Sequence, residues 1–201
     1  MPQRVFPTKG NLIQSKKTLA LAKVGFDLLD RKRNILIREM VSLIDRAARI
    51  QREINTGYER AYMALQKANV AHGLISGIAE SIPQETGLNI TSRSVMGVEL
   101  PAVRLEAMPR KLSYGFVTTS SLVDEAYIEF DHVKTMTAEL AEVENSVYRL
   151  AYAIKKTQKR ANALKNIVIP QLTGTIKFIN DSLEEKDREE FSRMKVIKAK
   201  K

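Results

Sequence analysis

The chain contains no cysteine and no tryptophan, and its six prolines leave two long windows untouched, Thr8 to Ile82 and Arg110 to Ile169. Lack of cysteine excludes disulfides and cysteine metal sites, and makes a reducing cytoplasm the expected compartment. Each proline-free window can hold a helix of roughly 60 residues, about 90 Å at 1.5 Å rise per residue, several times the usual globular helix. Long apolar runs are also missing. The first ten residues have no signal-like apolar core, and the longest uncharged stretches, Ala68 to Ala79 and Leu112 to Val123, are twelve residues each. That is too short to cross a bilayer, so the expectation is a soluble chain, which leaves docking on a membrane complex open.

The usual marks of catalysis are missing too. There is no glycine-rich phosphate loop and no dinucleotide-binding turn. His72 and His132 stand far apart, no spacing favours zinc, and no serine or threonine has an evident base nearby. The acidic cluster Glu184, Glu185, Asp187, Glu189 and Glu190 alternates with Lys186, Arg188 and Arg193, which reads as a solvated helix face. No catalytic residue, metal or cofactor is therefore expected.

What the sequence has instead is one sustained heptad register. With a positions at Leu12, Leu19, Phe26, Arg33, Met40, Ala47, Ile54, Ala61, Ala68 and Ile75, the d positions fall at Ser15, Ala22, Leu29, Leu36, Leu43, Ile50, Gly57, Ala64 and Ala71. All but three of these are apolar, and such a seam demands a partner helix along its length. A second seam supplies it: Leu122, Ala126, Val133, Met136, Leu140, Val143, Val147, Leu150, Ile154, Ala161, Leu164 and Val168, interrupted at Glu129 and Thr157. The expected fold is all-α, a long antiparallel two-helix coiled coil. Arg33 at a seam position reads as a snorkelling side chain or a register-setting polar site.

Between the seams, Pro83, Gly87, Gly97, Pro101, Pro109 and Gly115 break any helix, while Ser94 to Leu100 and Val103 to Leu105 have strand character. This segment reads as a small β-hairpin-like cap, with Pro101 marking a strand edge or end. The chain thus divides into a first helix over 1–79, a central cap over 80–116 and a second helix over 117–201. Thr8, Asn11 or Ser15 can cap the first helix, and Ser121 with Asp124 and Glu125 resembles a capping box for the second. Gly57, Gly73 and Gly77 weaken the first helix toward the bend. At Pro170 the seam slips by one residue, to Ile169, Leu172, Ile176, Ile179 and Leu183, where a kink is expected. The closing residues Lys198 to Lys201 are expected to fray.

The net charge of +10 is unevenly spread. Leu12 to Arg38 holds seven Lys/Arg against two acids, and Ile154 to Asn180 six against none, whereas Val117 to Val147 holds seven acids and one lysine. An antiparallel fold sets the two basic segments side by side, so one strongly basic end is expected, opposite a mildly acidic one. A concentration of like charge costs stability unless something acidic lies alongside.

Three separated stretches now carry a resemblance. Pro7 to Leu12, Arg93 to Pro101, and Arg160 to Leu164 continuing to Ile169 and Pro170 resemble the D subunit of the V-type/A-type ATPases, as does Leu183 to Phe191. The resemblance covers nearly the whole chain, and the chain's length is similar to that of bacterial and archaeal members. It implies a non-catalytic central rotor shaft in a complex of ATP synthesis and hydrogen ion or sodium ion transport. Its implied partners are the catalytic A and B subunits around the terminal end, the F subunit, and a membrane-side connector of the C/d type, with no nucleic acid and no direct membrane insertion. The implied location is cytoplasmic and peripheral to the membrane. Under that resemblance Lys16, Lys17, Lys23, Lys155, Lys156, Lys159 and Arg160 are candidate A/B-ring contacts, and Val95, Met96, Val98 and Leu100 candidate lower-stalk contacts. Gly174 departs from the pattern, since a better helix former is expected there.

Two other functions fit a basic coiled coil less well. A nucleic-acid module calls for aromatics interleaved with the basic residues, and the basic end is poor in tyrosine. A membrane-curving dimer calls for Lys/Arg along one long face, not at one end.

Overall fold

The computed structural model describes residues 5–106, 114–115 and 119–199. Its elements are α1 (Lys9–His72), the short α2 (Ser76–Glu80), β1 (Leu88–Val95), β2 (Val98–Leu105), α3 (Ser121–Ala163), a π-helical turn (Leu164–Val168) and α4 (Ile169–Ala199). The described residues are all-α apart from one two-stranded antiparallel hairpin. Of the expected central segment, residues 107–113 and 116, including Pro109, Arg110, Lys111 and Phe116, lie outside the described residues, as do 1–4, 117–118 and 200–201.

Thr8 caps α1: its Oγ1 accepts the Asn11 N–H at 3.2 Å, satisfying one of the orphan donors of the first turn. The helix stops at His72 because Gly73 turns left-handed, with φ 79°, while its N–H still bonds the Asn69 carbonyl at 2.9 Å. The last seam position, Ile75, therefore falls outside α1. At α3 the expected capping box does not form. The helix begins at Ser121, the preceding Ser120 Oγ lies 2.6 Å from His72 Nε2, and the Asp124 carboxylate accepts the Tyr114 hydroxyl at 2.6 Å. Asp124 still sits in the first turn, where the helix dipole favours an anion.

By contact the helices fall into two compact units. One contains the described residues up to Ile35 together with those from Ile154 onward; the other is Leu36–Ala153. In the middle unit the buried residues of α1 are Leu36, Leu43, Ile50, Ile54, Gly57, Ala61, Ala64 and Ala68, every one an a or d position of the heptad register. From α3, Val123, Ala126, Val133, Met136, Val143 and Leu150 are buried with Ser146. Pairing is antiparallel: Arg46 bonds Glu139, Gly57 lies against Met136 and Val133, and Arg60 reaches Glu129, so residue numbers fall on α3 as they rise on α1. Glu129, a gap in the second seam, is thereby the partner of a cross-helix ion pair.

Gly57 also has a packing role beyond its effect on the helix. A Cβ there would lie 2.8 Å from Met136 Cε and 3.1 Å from Val133 Cγ2, so the glycine sets how closely the helices approach.

The terminal unit is also an antiparallel helix pair. Gly25 faces Leu164, Lys165 Nζ lies 5.9 Å from the Phe26 ring centre, and Arg33 Nη1 donates to Gln158 Oε1 at 2.8 Å. Arg33 also pairs with Asp30 at 2.7 Å. It thus holds a specific polar partner across the seam, the register-setting use of a polar a position. At Leu164–Val168 the helix widens, and the Ile169 N–H reaches the Leu164 carbonyl, one residue farther than an α-helical bond. A π turn inserts one residue into the helical register. It absorbs the one-residue slip of the seam, and it lies immediately before Pro170, which has no N–H to give.

The hairpin packs against the flank of the middle unit. Its turn, Met96 and Gly97, has φ of 51° and 74°, the two positive values that a type I′ turn requires. Pairing runs unbroken from Val95↔Val98 to Leu88↔Leu105. Leu100 of β2 is wholly buried, Arg93 pairs with Glu39 of α1 at 2.9 Å, and the Val103 N–H donates to Glu142 of α3 at 2.7 Å. The segment read as an end cap thus folds back along both helices.

Candidate interaction surfaces

Two kinds of surface emerge, one charged and one apolar. In sequence, residues 1–35 and 154–201 together hold 21 Lys/Arg against 8 Asp/Glu, while residues 36–153 hold 12 against 15. The terminal unit thus carries a surplus of 13 positive charges and the middle unit a deficit of 3. Lys16, Lys17, Lys23, Lys155, Lys156, Lys159 and Arg160 are all exposed on this unit. The ion pairs found there, Arg33 with Asp30, Arg188 with Glu184 and Arg193 with Glu189, are all local to one helix and involve none of those seven. Their charge is therefore available to a partner.

Interleaved with these lysines is an apolar stripe that the heptad reading missed. Leu21, Val24, Leu28 and Ile35 are 73%, 56%, 61% and 42% exposed. Spaced at i, i+3, i+7 and i+14 and lying off the seam, they form one helix face. The signal was present in sequence but was overshadowed by the stronger a/d pattern.

In the middle unit several charges pair across elements. Lys134 Nζ donates to Glu85 Oε2 at 2.7 Å and to Asp131 Oδ1 at 2.8 Å, fastening the segment before β1 to α3. The Lys134 hydrogen bond, followed by that from the Gly87 N–H, holds the Glu85 carboxyl below its ordinary value, and Lys134 is raised by its bonds to Asp131 and Glu85. Tyr114 is pushed up to about 12, by burial first and then by its bond to Asp124.

The hairpin residues proposed as lower-stalk contacts are not equivalent. Leu100 is enclosed, so its side chain serves to seat the hairpin and is closed to a partner. Val95 and Val98 are half-buried, and Met96 is 45% exposed at the turn. Met96 is also the one non-glycine residue with positive φ among those described, where asparagine or glycine fits more easily. A second apolar surface lies near the end of α1. Tyr58 stacks on Tyr62 at 5.9 Å, and Tyr62 meets Phe130 edge-on at 5.5 Å. Beside them Tyr62, Leu65, Gln66, Asn69 and Val70 line an open depression of about 460 Å³, with Leu74 91% exposed. No helix among the described residues is long and apolar enough to cross a membrane.

The family profile of the ATP synthase D subunit matches residues 11–199. The D subunit of the V-type ATP synthase of Thermotoga neapolitana is 45% identical over 198 residues, covering 98% of both chains. The D subunits of the A-type ATP synthases of Pyrococcus horikoshii and Pyrococcus furiosus are 38% and 39% identical over 206 residues, covering 99% of this chain and 96% of theirs. With a match from the first turn of α1 to the last residue of α4, the chain belongs to the ATP synthase D-subunit family.

Proposed function

We propose that the chain is the central rotor shaft of a V/A-type ATP synthase, a non-catalytic subunit that carries torque between a membrane ion-translocating ring and the catalytic A/B ring. The observation that carries this reading is the antiparallel helix pairing on one heptad register in both units of a chain matched to the D-subunit family over its length. Two close-packed helices resist twisting through interdigitated seam residues, and no chemistry is asked of them.

In this reading the terminal unit turns inside the A/B ring. Its free lysines, Lys16, Lys17, Lys23, Lys155, Lys156 and Lys159, together with Arg160, face acidic or dipolar groups of the ring, with the Leu21 to Ile35 stripe between them. The middle unit binds the F subunit and the membrane-side connector through Val95, Met96 and Val98. The location follows: cytoplasmic, peripheral to the membrane, coupled to H+ or Na+ movement in other subunits.

The lack of cysteine makes a direct test available. One cysteine introduced at Lys159, opposite one in the catalytic ring, should form a disulfide that stops ATP hydrolysis until reductant is added. Undiminished hydrolysis in fully cross-linked complexes would overturn the rotor reading.

A further inference from the structure

The hairpin has two long edges, and the molecule treats them differently. Val95 and Val98 flank a two-residue turn and form a hydrogen-bonded pair, after which bonded and non-bonded pairs alternate. Asn89, Thr91, Arg93 and Val95 therefore direct their backbone groups into the ladder. Leu88, Ile90, Ser92 and Ser94 direct theirs away from β2, and on β2 the outward set is Glu99, Pro101, Val103 and Leu105.

The β2 edge is closed. Glu142 accepts the Val103 N–H at 2.7 Å, Arg149 Nη1 donates to the Glu99 carbonyl at 3.1 Å, and Pro101 sits where a missing N–H costs the ladder nothing. The β1 edge is open. Leu88, Ile90, Ser92 and Ser94 are all exposed, and among the described residues nothing bonds their outward N–H and C=O groups. An uncovered edge is a template for pairing, which proteins blunt with proline, lysine or a bulge. β1 has none of these, and Arg93, its sole charged residue, is an inward-bonding position tied to Glu39.

We propose that the free edge of β1 accepts an extended segment of another subunit of the ATP synthase complex as a third strand. Four outward N–H and four outward C=O groups at every second residue match only an extended backbone. Leu88 and Ile90, on one face and 48% and 64% exposed, select apolar side chains at alternate positions of the incoming strand. A second copy of this chain is a poor occupant. Two eight-residue edges, each about 27 Å long and 10 Å deep, bury together roughly 500 Å², against the ~1,200 Å² of a stable interface, so the edge holds only a strand whose own subunit is already joined to this chain elsewhere in the complex.

Site-resolved hydrogen exchange on the full chain tests this, comparing the free protein with the assembled complex. In the free protein Leu88, Ile90, Ser92 and Ser94 should exchange freely while Asn89, Thr91, Arg93 and Val95 are slow. On assembly the outward four should slow by roughly tenfold or more. Ser92→Pro, opposite Pro101 and sparing the ladder, should remove that protection at Leu88, Ile90 and Ser94. Outward amides as fast in the complex as in the free protein would overturn the proposal. So would protection that persists in Ser92→Pro, or that appears in the free protein as its concentration is raised. The site rests on membership of the complex and not on rotation. Failure of the rotor reading would appear separately, as cross-linked complexes that still turn over, and would leave the amide pattern unchanged.

Discussion

The two units are built from the same two seams, yet among the described residues only the middle one has a deep core and ion pairs between its elements. Of the buried apolar side chains among the described residues, Ala161 and Ile179 alone belong to the terminal unit; the seam residues Leu12, Leu19, Phe26 and Leu29 are half-buried. Ion pairs follow the same division. Arg46 with Glu139, Arg60 with Glu129, Arg93 with Glu39 and Lys134 with Glu85 tie one element to another in the middle unit, whereas those of the terminal unit stay within a helix. The difference teaches that heptad periodicity specifies which face pairs but not how much the pairing stabilises. Both units leave apolar surface uncovered, but the terminal unit pairs it with a surplus of positive charge, whereas the middle unit joins its elements by ion pairs around a deeper core.

The sharpest break of that comparison is a truncation on each side. Leu150, fully buried in the middle unit, should cost about 2–5 kcal/mol when changed to alanine, the transfer loss plus the cavity. Leu28→Ala in the terminal unit removes a side chain that is 61% exposed and should change stability by no more than about 0.5 kcal/mol. Urea unfolding followed by circular dichroism measures both. Equal costs would mean that the stripe through Leu28 is packed in the isolated protein.

Charge gives the reverse asymmetry. Changing Lys16, Lys23, Lys156 and Lys159 together to glutamate should not destabilise the fold, because these residues are exposed, take no part in the ion pairs and crowd one sign of charge. Association with the A/B ring should fall by roughly tenfold or more and become sensitive to salt. Unchanged assembly at low salt would remove the lysines from the interface.

Much of this organisation was legible in the sequence, for identifiable reasons. Every buried residue of α1 in the middle unit lies on the predicted seam because the 3.5-residue repeat directly encodes which side meets a partner. The hairpin was legible from Val, Pro and Gly placement, but its position along the flank was not. That depends on Leu100, Glu142 and Arg149, whose contacts span 39 or more residues. The one-residue slip near Pro170 is visible in the periodicity, but periodicity alone cannot distinguish a proline kink from the π turn at Leu164–Val168. Candidate surfaces were legible for the lysines, since charge segregates by segment. They were not legible for Leu21, Val24 and Leu28, since an exposed apolar residue has the same letter as a buried one.

A smaller contrast concerns two helical glycines. At Gly57 a Cβ would press on Met136 and Val133, so its alanine variant must set repacking against better helix propensity. At Gly174 in the terminal unit nothing lies within 4 Å of an added Cβ. Gly174→Ala should therefore gain about 1 kcal/mol, visible as a raised Tm. No gain would mean that the neighbouring π turn relaxes in concert with residue 174.

The smallest effect separates the units by pH. Glu85 is depressed and Lys134 raised, and each is the other's partner. A carboxyl depressed by folding contributes stability above its unfolded value, near the ordinary 4.5, and loses it as pH falls through the lower folded value. The raised Lys134 contributes fully below its ordinary 10.5 and loses its share only as pH rises through the higher folded value. The tether of the pre-β1 segment to α3 is thus intact between those limits and loosens first on the acid side. Because Glu85 Oε1 accepts the Gly87 N–H at 2.9 Å, the Gly87 amide resonance should report that carboxyl directly. Its titration midpoint should lie below 4.5, and the titration should vanish in Glu85→Gln. A midpoint at or above 4.5 would mean that Lys134 spends its time on Asp131 instead, so that one of the cross-braces distinguishing the middle unit from the terminal one is absent in solution.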